Sequence, residues 1–340
     1  MKYIGMDAHS RHCTFVVRGN SGKILKREEI KTQEKLLLGF VRSVKGKKKL
    51  AFEEGVMSQW LYMLLKDEVN ELVVCQPQER RGAKTDNIDA GELADLLRVG
   101  RLKHVFHADS SFMNLRVLVS AYGDVIEEIC RTKNRYKALF RQVGIPTDGN
   151  YLYNSPQRID SLDTNERRFA ACALYEQLCL LEEHRQFYVE QFEENSRRHK
   201  PIRLLMSIPG IGVIRANQIA GVLVTPHRFA NKYHFFSYAM LTKHDRISDG
   251  KLYGKQRARG QALLKNVFKS SVTSAMSSNT AFRRKYEEMQ ERGRDDRAAR
   301  NAVAKKIAAT VLGVWKSNKK YNDKHLEVTQ RRTRNCPEKV

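Results

Sequence analysis

The chain has few cysteines, and none is arranged to do chemistry. Cys13, Cys75, Cys130, Cys172, Cys179 and Cys336 form no C-x-x-C pair and keep no zinc-ligand spacing with histidine. Most of them fall inside apolar strand or helix patterns, where a buried free thiol is expected. His9, His12 and Cys13 are close in sequence but sit at a turn between two strand patterns, and read as surface-loop residues. The chain also lacks an apolar run approaching the roughly 20 residues of a membrane span. It opens without a signal-peptide pattern, so a cytoplasmic location is expected and a membrane partner is not.

Acid is scarce in one half only. The net charge is +24, but residues 201–340 hold 29 Lys/Arg against 10 Asp/Glu, while residues 1–200 carry a surplus of only 5 cations. Such asymmetry points to nucleic acid, with an anionic membrane surface as the weaker alternative. Hydrophobic residues at 41% suffice for real cores, and charged residues at 29% suit a soluble chain. At 340 residues, two or three domains are expected, taking about 150 residues per domain.

Residues 1–105 alternate strand and helix signals. Strands are predicted at Lys2–Met6, Cys13–Arg18 and Lys23–Ile30, then a helix from Thr32 or Gln33 to Val44 and a strand at Leu50–Phe52. A helix at Ser58–Lys66, a strand at Leu72–Cys75 and a helix opening near Asp86 follow, the last reached through a basic loop from Gln76 to Lys84. Three antiparallel strands followed by helix-separated strands make an α/β pattern of the RNase H-like type. Two helical stripes, Phe112 to Val143 and Leu174 to Phe192, are separated by a Pro-, Asn-, Asp- and Ser-rich stretch at Gly144–Asp163. They predict a coiled-coil arm of two antiparallel helices. Ser207-Ile-Pro-Gly-Ile-Gly212 resembles a helix-hairpin-helix turn, in which Gly210 and Gly212 would turn backbone N–H groups toward a DNA phosphate. An apolar helix at Phe229–Leu241, a polar basic segment at 244–260, and helices over 261–279, 281–291 and 296–316 complete the reading. The last twenty residues read as a disordered basic tail.

Four carboxylates stand out in the neutral half. Asp7 in IGMDAH and Glu53 in AFEEG each follow an apolar strand, and Asp86 and Asp89 in KTDNIDA share one face of a starting helix. Oxygen clusters of this kind hold Mg²⁺ or Mn²⁺, and two ions about 3.5–4 Å apart drive in-line attack on phosphodiesters. Glu54 competes with Glu53. Neighbours on a strand point to opposite faces, so only one reaches the ions, and Glu53 is favoured. Helix capping accounts for one of Asp86 and Asp89. It does not account for two on one face beside Asp7 and Glu53.

MDAH, FEEG followed by WLY, VVCQP, KTDNIDA, SIPGIG and a YAML–TK–ISDG segment together resemble the DEDD-type insertion-sequence transposases. These are serine-assisted, bridge-RNA-guided recombinases related to Piv DNA invertases. The resemblance spans residues 3 to 316. It implies a RuvC-like (RNase H-like) DEDD domain over 1–105, a coiled-coil region over 106–200, and a mainly α C-terminal transposase domain over 201–320. A basic tail over 321–340 follows. By the same resemblance the tetrad is Asp7, Glu53, Asp86 and Asp89, and the nucleophile is Ser248 in Arg246-Ile-Ser-Asp-Gly250; many relatives have Ser-Gly where this chain has Ser248-Asp249-Gly250. Lys243, His244, Arg246, Lys251, Lys255, Arg257 and Arg259 stand near enough in sequence to hold a phosphate; Ser237 and Ser207 are weaker candidates. Donor and target duplex DNA, a noncoding guide RNA, a homodimer assembling to a tetramer and association with the nucleoid are also implied.

Three rivals remain at this point. A metal-dependent Holliday-junction nuclease would use the same tetrad with water as nucleophile. An actin-like sugar kinase would need a second Gly-rich phosphate loop, which the chain lacks. A non-catalytic nucleic-acid-binding protein would leave the tetrad without purpose.

Overall fold

A computed structural model describes residues 1–77 and 86–323. The basic loop from Gln76 to Lys84 falls mainly outside the described residues, as does the tail beyond Asp323. The chain divides into two compact units, 1–113 and 114–340.

The first unit is a five-stranded mixed sheet with helices on both faces. Its elements run β1 (Lys2–Ala8), β2 (His12–Arg18), β3 (Ile24–Lys31), α1 (Glu34–Ser43), β4 (Lys48–Glu53), α2 (Ser58–Leu65), β5 (Glu71–Cys75) and α3 (Asp86–Arg98). The strand order is β3-β2-β1-β4-β5, with β1, β2 and β3 antiparallel and β4 and β5 parallel to β1. Alternation sorts the side chains. Ile4, Met6, Leu50 and Phe52 pack with Leu37, Phe40 and Val41 of α1 and Leu61 and Leu65 of α2. Ala51, Val73 and Cys75 meet Leu93 and Leu97 of α3 on the other face.

Gly5 is what lets α3 lie so close. A Cβ there would stand 2.0 Å from the Ala90 carbonyl oxygen and 2.5 Å from the Ala94 nitrogen, so any side chain would push the helix off the sheet. Arg18 pins the same helix, donating to the Gly91 carbonyl at 3.0 Å and the Gly22 carbonyl at 2.7 Å.

The second unit is mostly helical. Two long helices, α4 (Ser111–Arg141) and α5 (Asn165–Arg198), run antiparallel: Tyr122 packs edge-on to Phe192, Lys133 pairs with Glu182 at 2.8 Å, and Tyr136 meets Tyr175. The connection between them holds two short 3-10 turns, at Tyr151–Tyr153 and Pro156–Ser161, and its Leu152, Ile159 and Leu162 are buried against Tyr136 and Phe140. The helices α6 (Lys200–Met206), α7 (Val213–Leu223), α8 (Lys232–Tyr238), α9 (Ala262–Ala275), α10 (Ala281–Glu291) and α11 (Asp296–Ser317) follow.

Two expectations change here. The apolar helix expected over Phe229–Leu241 is confined to Lys232–Tyr238, because Asn231 caps its start by accepting from the Tyr233 and His234 N–H groups. The polar, basic segment at 244–260, to which periodicity assigns no element, forms most of a hairpin of β6 (Lys243–Ser248) and β7 (Lys251–Arg257). It escapes the alternation test because both of its faces are exposed, although Asp249-Gly250 is a strong turn signal: both residues have positive φ, +49° and +69°. Tyr321 and Asp323, at the start of the expected tail, are docked. Tyr321 stacks on Phe282 and donates its N–H to Ser207 Oγ, while Asp323 accepts from the Ala281 N–H.

Candidate active site

Asp7 and Glu53 stand at the same end of two adjacent parallel strands. Met6 is paired with Phe52, so each carboxylate follows a matched position. Asp7 shares a face with Gly5, and Glu53 shares one with Ala51; both are therefore on the face that α3 covers. The helix runs against β1, since Ala90 lies over Gly5 while Arg98 reaches Gly22, beyond Arg18 at the start of β1's pairing with β2. Its first turn, with Asp86 and Asp89, is thus directed to the end of the sheet that carries Asp7 and Glu53.

Asp89 and Glu53 are half-buried, and the Asp7 side chain is 20% exposed, with His9 Nε2 3.2 Å from its Oδ2. The side chains of Asp86 and Arg257 lie outside the described residues. Among the described residues no three acidic, histidine or cysteine groups are drawn together tightly enough to hold a metal ion. The donor set is nonetheless all oxygen, on one face and at one sheet end, which suits Mg²⁺ or Mn²⁺ in kind. Cys13, close in sequence, is no rival ligand. Burial pushes its thiol pKa up, which favours the protonated form, and its sulfur sits 3.3 Å from Thr32 Oγ1.

Glu54 has a separate task. Its Oε2 lies 2.6 Å from Nε2 of His107, whose side chain is only 2% exposed. The other ring nitrogen is 2.9 Å from Oε1 of Gln59 in α2, and the Gln59 amide nitrogen donates to the Ala108 carbonyl. This clasp ties Glu54 toward the α2 side, opposite to α3. Sequence reasoning missed His107, since one of two histidines in the short mixed stretch after α3 gave little to find it by.

In the second unit, Ser248 ends β6 and pairs with Lys251 across the two-residue turn. All of β6 is exposed, and Ser248 makes no side-chain hydrogen bond among the described residues. Asp245 and Lys255 form a loose pair at 4.0 Å. His244 sits instead beside Ser237, with Nε2 3.4 Å from its Oγ and Thr242 Oγ1 at 3.3 Å. His244, Gln256, Ala258 and Arg259 line a shallow recess at the base of the hairpin. The base is fixed to α8: Gln261 donates to the Tyr238 carbonyl at 2.7 Å, and a Cβ on Gly260 would lie 2.2 Å from that oxygen.

The Ser207–Gly212 turn joins α6 to α7. Gly210 has φ +84°, and a Cβ there would meet the Ser271 carbonyl at 2.4 Å, so packing on α9 by itself demands glycine. Gly212 is exposed at the start of α7, in a cleft shared with Arg215 and Ser274. Burial lowers the Arg215 pKa, and its guanidinium donates to the Gly210 carbonyl at 2.7 Å.

Residues 4–145 match the DEDD transposase model of IS110 elements, described as a transposase, and residues 202–287 match the model described as transposase, IS116/IS110/IS902 family. No curated protein matches the chain. A mixed α/β unit with carboxylates at one sheet end, followed by a mostly helical unit, is therefore the frame of a DNA-processing enzyme, a transposase. The chain belongs to the DEDD-type insertion-sequence transposases, enzymes of mobile elements that act on DNA and generally use divalent metal ions. No helix among the described residues is long and apolar enough to cross a membrane.

Proposed function

We propose that the chain cuts and rejoins DNA through a serine–phosphate intermediate, with Asp7, Glu53, Asp86 and Asp89 as the metal-holding tetrad and Ser248 as the nucleophile. The observation that carries the reading is the convergence of two strand ends and the first turn of α3 on one end and one face of the sheet. The strand order β3-β2-β1-β4-β5 supports an RNase H-like, RuvC-like core for residues 1–105. The antiparallel pairing of α4 with α5 supports a coiled coil within 106–200, followed by a C-terminal domain over 201–320. The Glu54–His107 clasp supports Glu53 over Glu54.

Two Mg²⁺ or Mn²⁺ ions held by the four carboxylates would polarise the phosphodiester and stabilise charge developing on its oxygens. The chain's own part begins at Ser248. An Oγ–P bond forms while the P–O bond to the departing sugar breaks; the serine proton passes to solvent, and the leaving oxygen takes one up. Attack by a sugar hydroxyl reverses the exchange and reseals the strand, so no ATP is needed. Lys251 faces Ser248 in register, and Arg246, Lys255, Arg257 and Arg259 supply further cations for phosphate oxygens, with Gly210 and Gly212 as backbone contacts. Sequence choice by a noncoding guide RNA, paired to donor and target duplexes, belongs to the same reading, as do a homodimer assembling to a tetramer and association with the nucleoid.

A second assignment has its own support: His244 beside Ser237 is a general base next to a hydroxyl, an arrangement that Ser248 lacks among the described residues. The deciding experiment is adduct mapping. The purified chain, with Mg²⁺, the element's DNA and the adjoining noncoding RNA, is expected to give a protein–DNA adduct that survives denaturation and maps to Ser248. Ser248→Ala is expected to bind equally and yield none. An adduct at Ser237 moves the site, and cleavage with no adduct favours the metal-activated-water nuclease.

A further inference from the structure

The hairpin that carries Ser248 has two faces, and the reading above leaves the apolar residues of one of them unused. Ile247 and Leu252 are directly opposed in register, so their side chains share a face. Ser248 and Lys251, one position nearer the turn, share the reverse face. Ile247 is 64% exposed and Leu252 is 62% exposed, at the end of a ribbon whose other members are polar or charged. Tyr253 is 66% exposed, and the register shift between Asp245 and Ile247 coincides with Gly254 at φ +122°, a bulge that bends the ribbon just behind the apolar pair. Isolated exposed apolar residues are common on protein surfaces. A directly paired Ile and Leu at the tip of an otherwise polar hairpin is a patch with a shape.

The surrounding charge selects the occupant. From Lys243 to Arg259 the segment carries six Lys/Arg against Asp245 and Asp249. A polyanion is drawn to such a ribbon. The largest apolar surfaces a nucleic acid offers are the faces of its bases, and these become available where the stack is opened. Branched apolar side chains inserted at a base step unstack it and hold it open.

We propose that Ile247 and Leu252 form an apolar wedge that packs on unstacked nucleobases of DNA, while the opposite face of the same hairpin meets the backbone. Tyr253, next to Leu252 on the strand, falls by the same alternation on the reverse face with Lys251 and is no part of the wedge. The inference rests on the reading of the hairpin as a DNA-contacting element, but it does not require Ser248 to be the nucleophile.

The test uses the full chain as Ser248→Ala, so that no chemistry intervenes, and two 30-base-pair probes of mixed sequence. One probe is perfectly paired, and the other has a central two-nucleotide mismatch bubble containing 2-aminopurine. The chain with Ile247 and Leu252 intact is expected to bind the bubble about tenfold tighter than the duplex and to change the 2-aminopurine fluorescence. Ile247→Ser combined with Leu252→Ser is expected to remove that preference and the fluorescence change, with duplex affinity and its salt dependence unaltered. Both positions are exposed, and an unchanged melting temperature checks the fold. Equal binding of both probes by the intact hairpin overturns the proposal, as does a preference that survives the double substitution. A double variant that alters sedimentation while keeping the bubble preference makes the face a protein–protein interface and also overturns it. Adduct formation by the chain with Ser248 restored is scored separately: an adduct without bubble preference defeats the wedge alone, and bubble preference without an adduct defeats the serine assignment alone.

Discussion

The proposed tetrad and the proposed nucleophile sit on opposite kinds of support. Asp7 and Glu53 extend strands whose Ile4, Met6, Leu50 and Phe52 are fully buried, under a helix pressed onto Gly5. Ser248 closes a two-stranded ribbon with no buried residue in its first strand, anchored at its base on Ser237 and Tyr238 of α8. Ligands of a metal pair must hold their places to a fraction of an ångström before substrate arrives, which a close-packed sheet end provides. A group that must reach a bulky duplex gains from standing clear of the protein. The contrast teaches that substitutions in the first unit act through geometry and those in the hairpin act through contact.

The largest effect tests the rigid side. Asp7→Ala, Glu53→Ala and Asp89→Ala are each expected to lower recombination of a plasmid carrying the element by roughly a thousandfold or more, since each removes a ligand from a unit that works together. Glu54→Ala is expected to stay within about tenfold of the parent. A dead Glu54→Ala beside an active Glu53→Ala would reverse the assignment on β4.

Backbone closeness comes next. Gly5→Ala is expected to destabilise the first unit by about 3 kcal/mol in urea unfolding, because the new methyl meets helix backbone that cannot rotate away. Gly250→Ala in the hairpin turn has open space around it and meets only the unfavourable φ, so a loss of about 1 kcal/mol or less is expected. Equal losses would erase the contrast.

Between these lies the clasp. His107→Ala is expected to lower stability by about 2 kcal/mol, through a buried void and the loss of hydrogen bonds to Glu54 and Gln59. His107→Gln is expected to recover part of it. Thermal melts of both variants check this.

The smallest effect is electrostatic. Lys251→Ala with Lys255→Ala is expected to flatten the slope of log affinity for duplex DNA against log salt by about 1.8, leaving stability unchanged. A slope that does not move would mean that neither lysine meets a phosphate.

Legibility followed burial. The strands of the first unit could be read because their apolar runs face packed layers: the expected Leu50–Phe52 lies inside the observed β4, and the helix opening near Asp86 begins there. The hairpin was invisible to periodicity since neither face is buried, and only Asp249-Gly250 betrayed it. Gly210 shows the reverse ambiguity. Its glycine suited a phosphate-binding turn, but contact with Ser271 requires it whatever binds nearby. The pairing of Glu54 with His107 joins residues 53 apart and left no local trace.

The short stretch Tyr321–Asp323 works as a latch. Its tyrosine covers Phe282 and holds Ser207 at the mouth of the α6–α7 turn, and its aspartate accepts from the first N–H of α10 and from Arg284. A chain trimmed after Asp323 keeps every one of these bonds, whereas one trimmed three residues earlier frees the end of α10 and the turn together. Where an engineered fusion or truncation begins is therefore set by three residues that a basic C-terminus would otherwise hide.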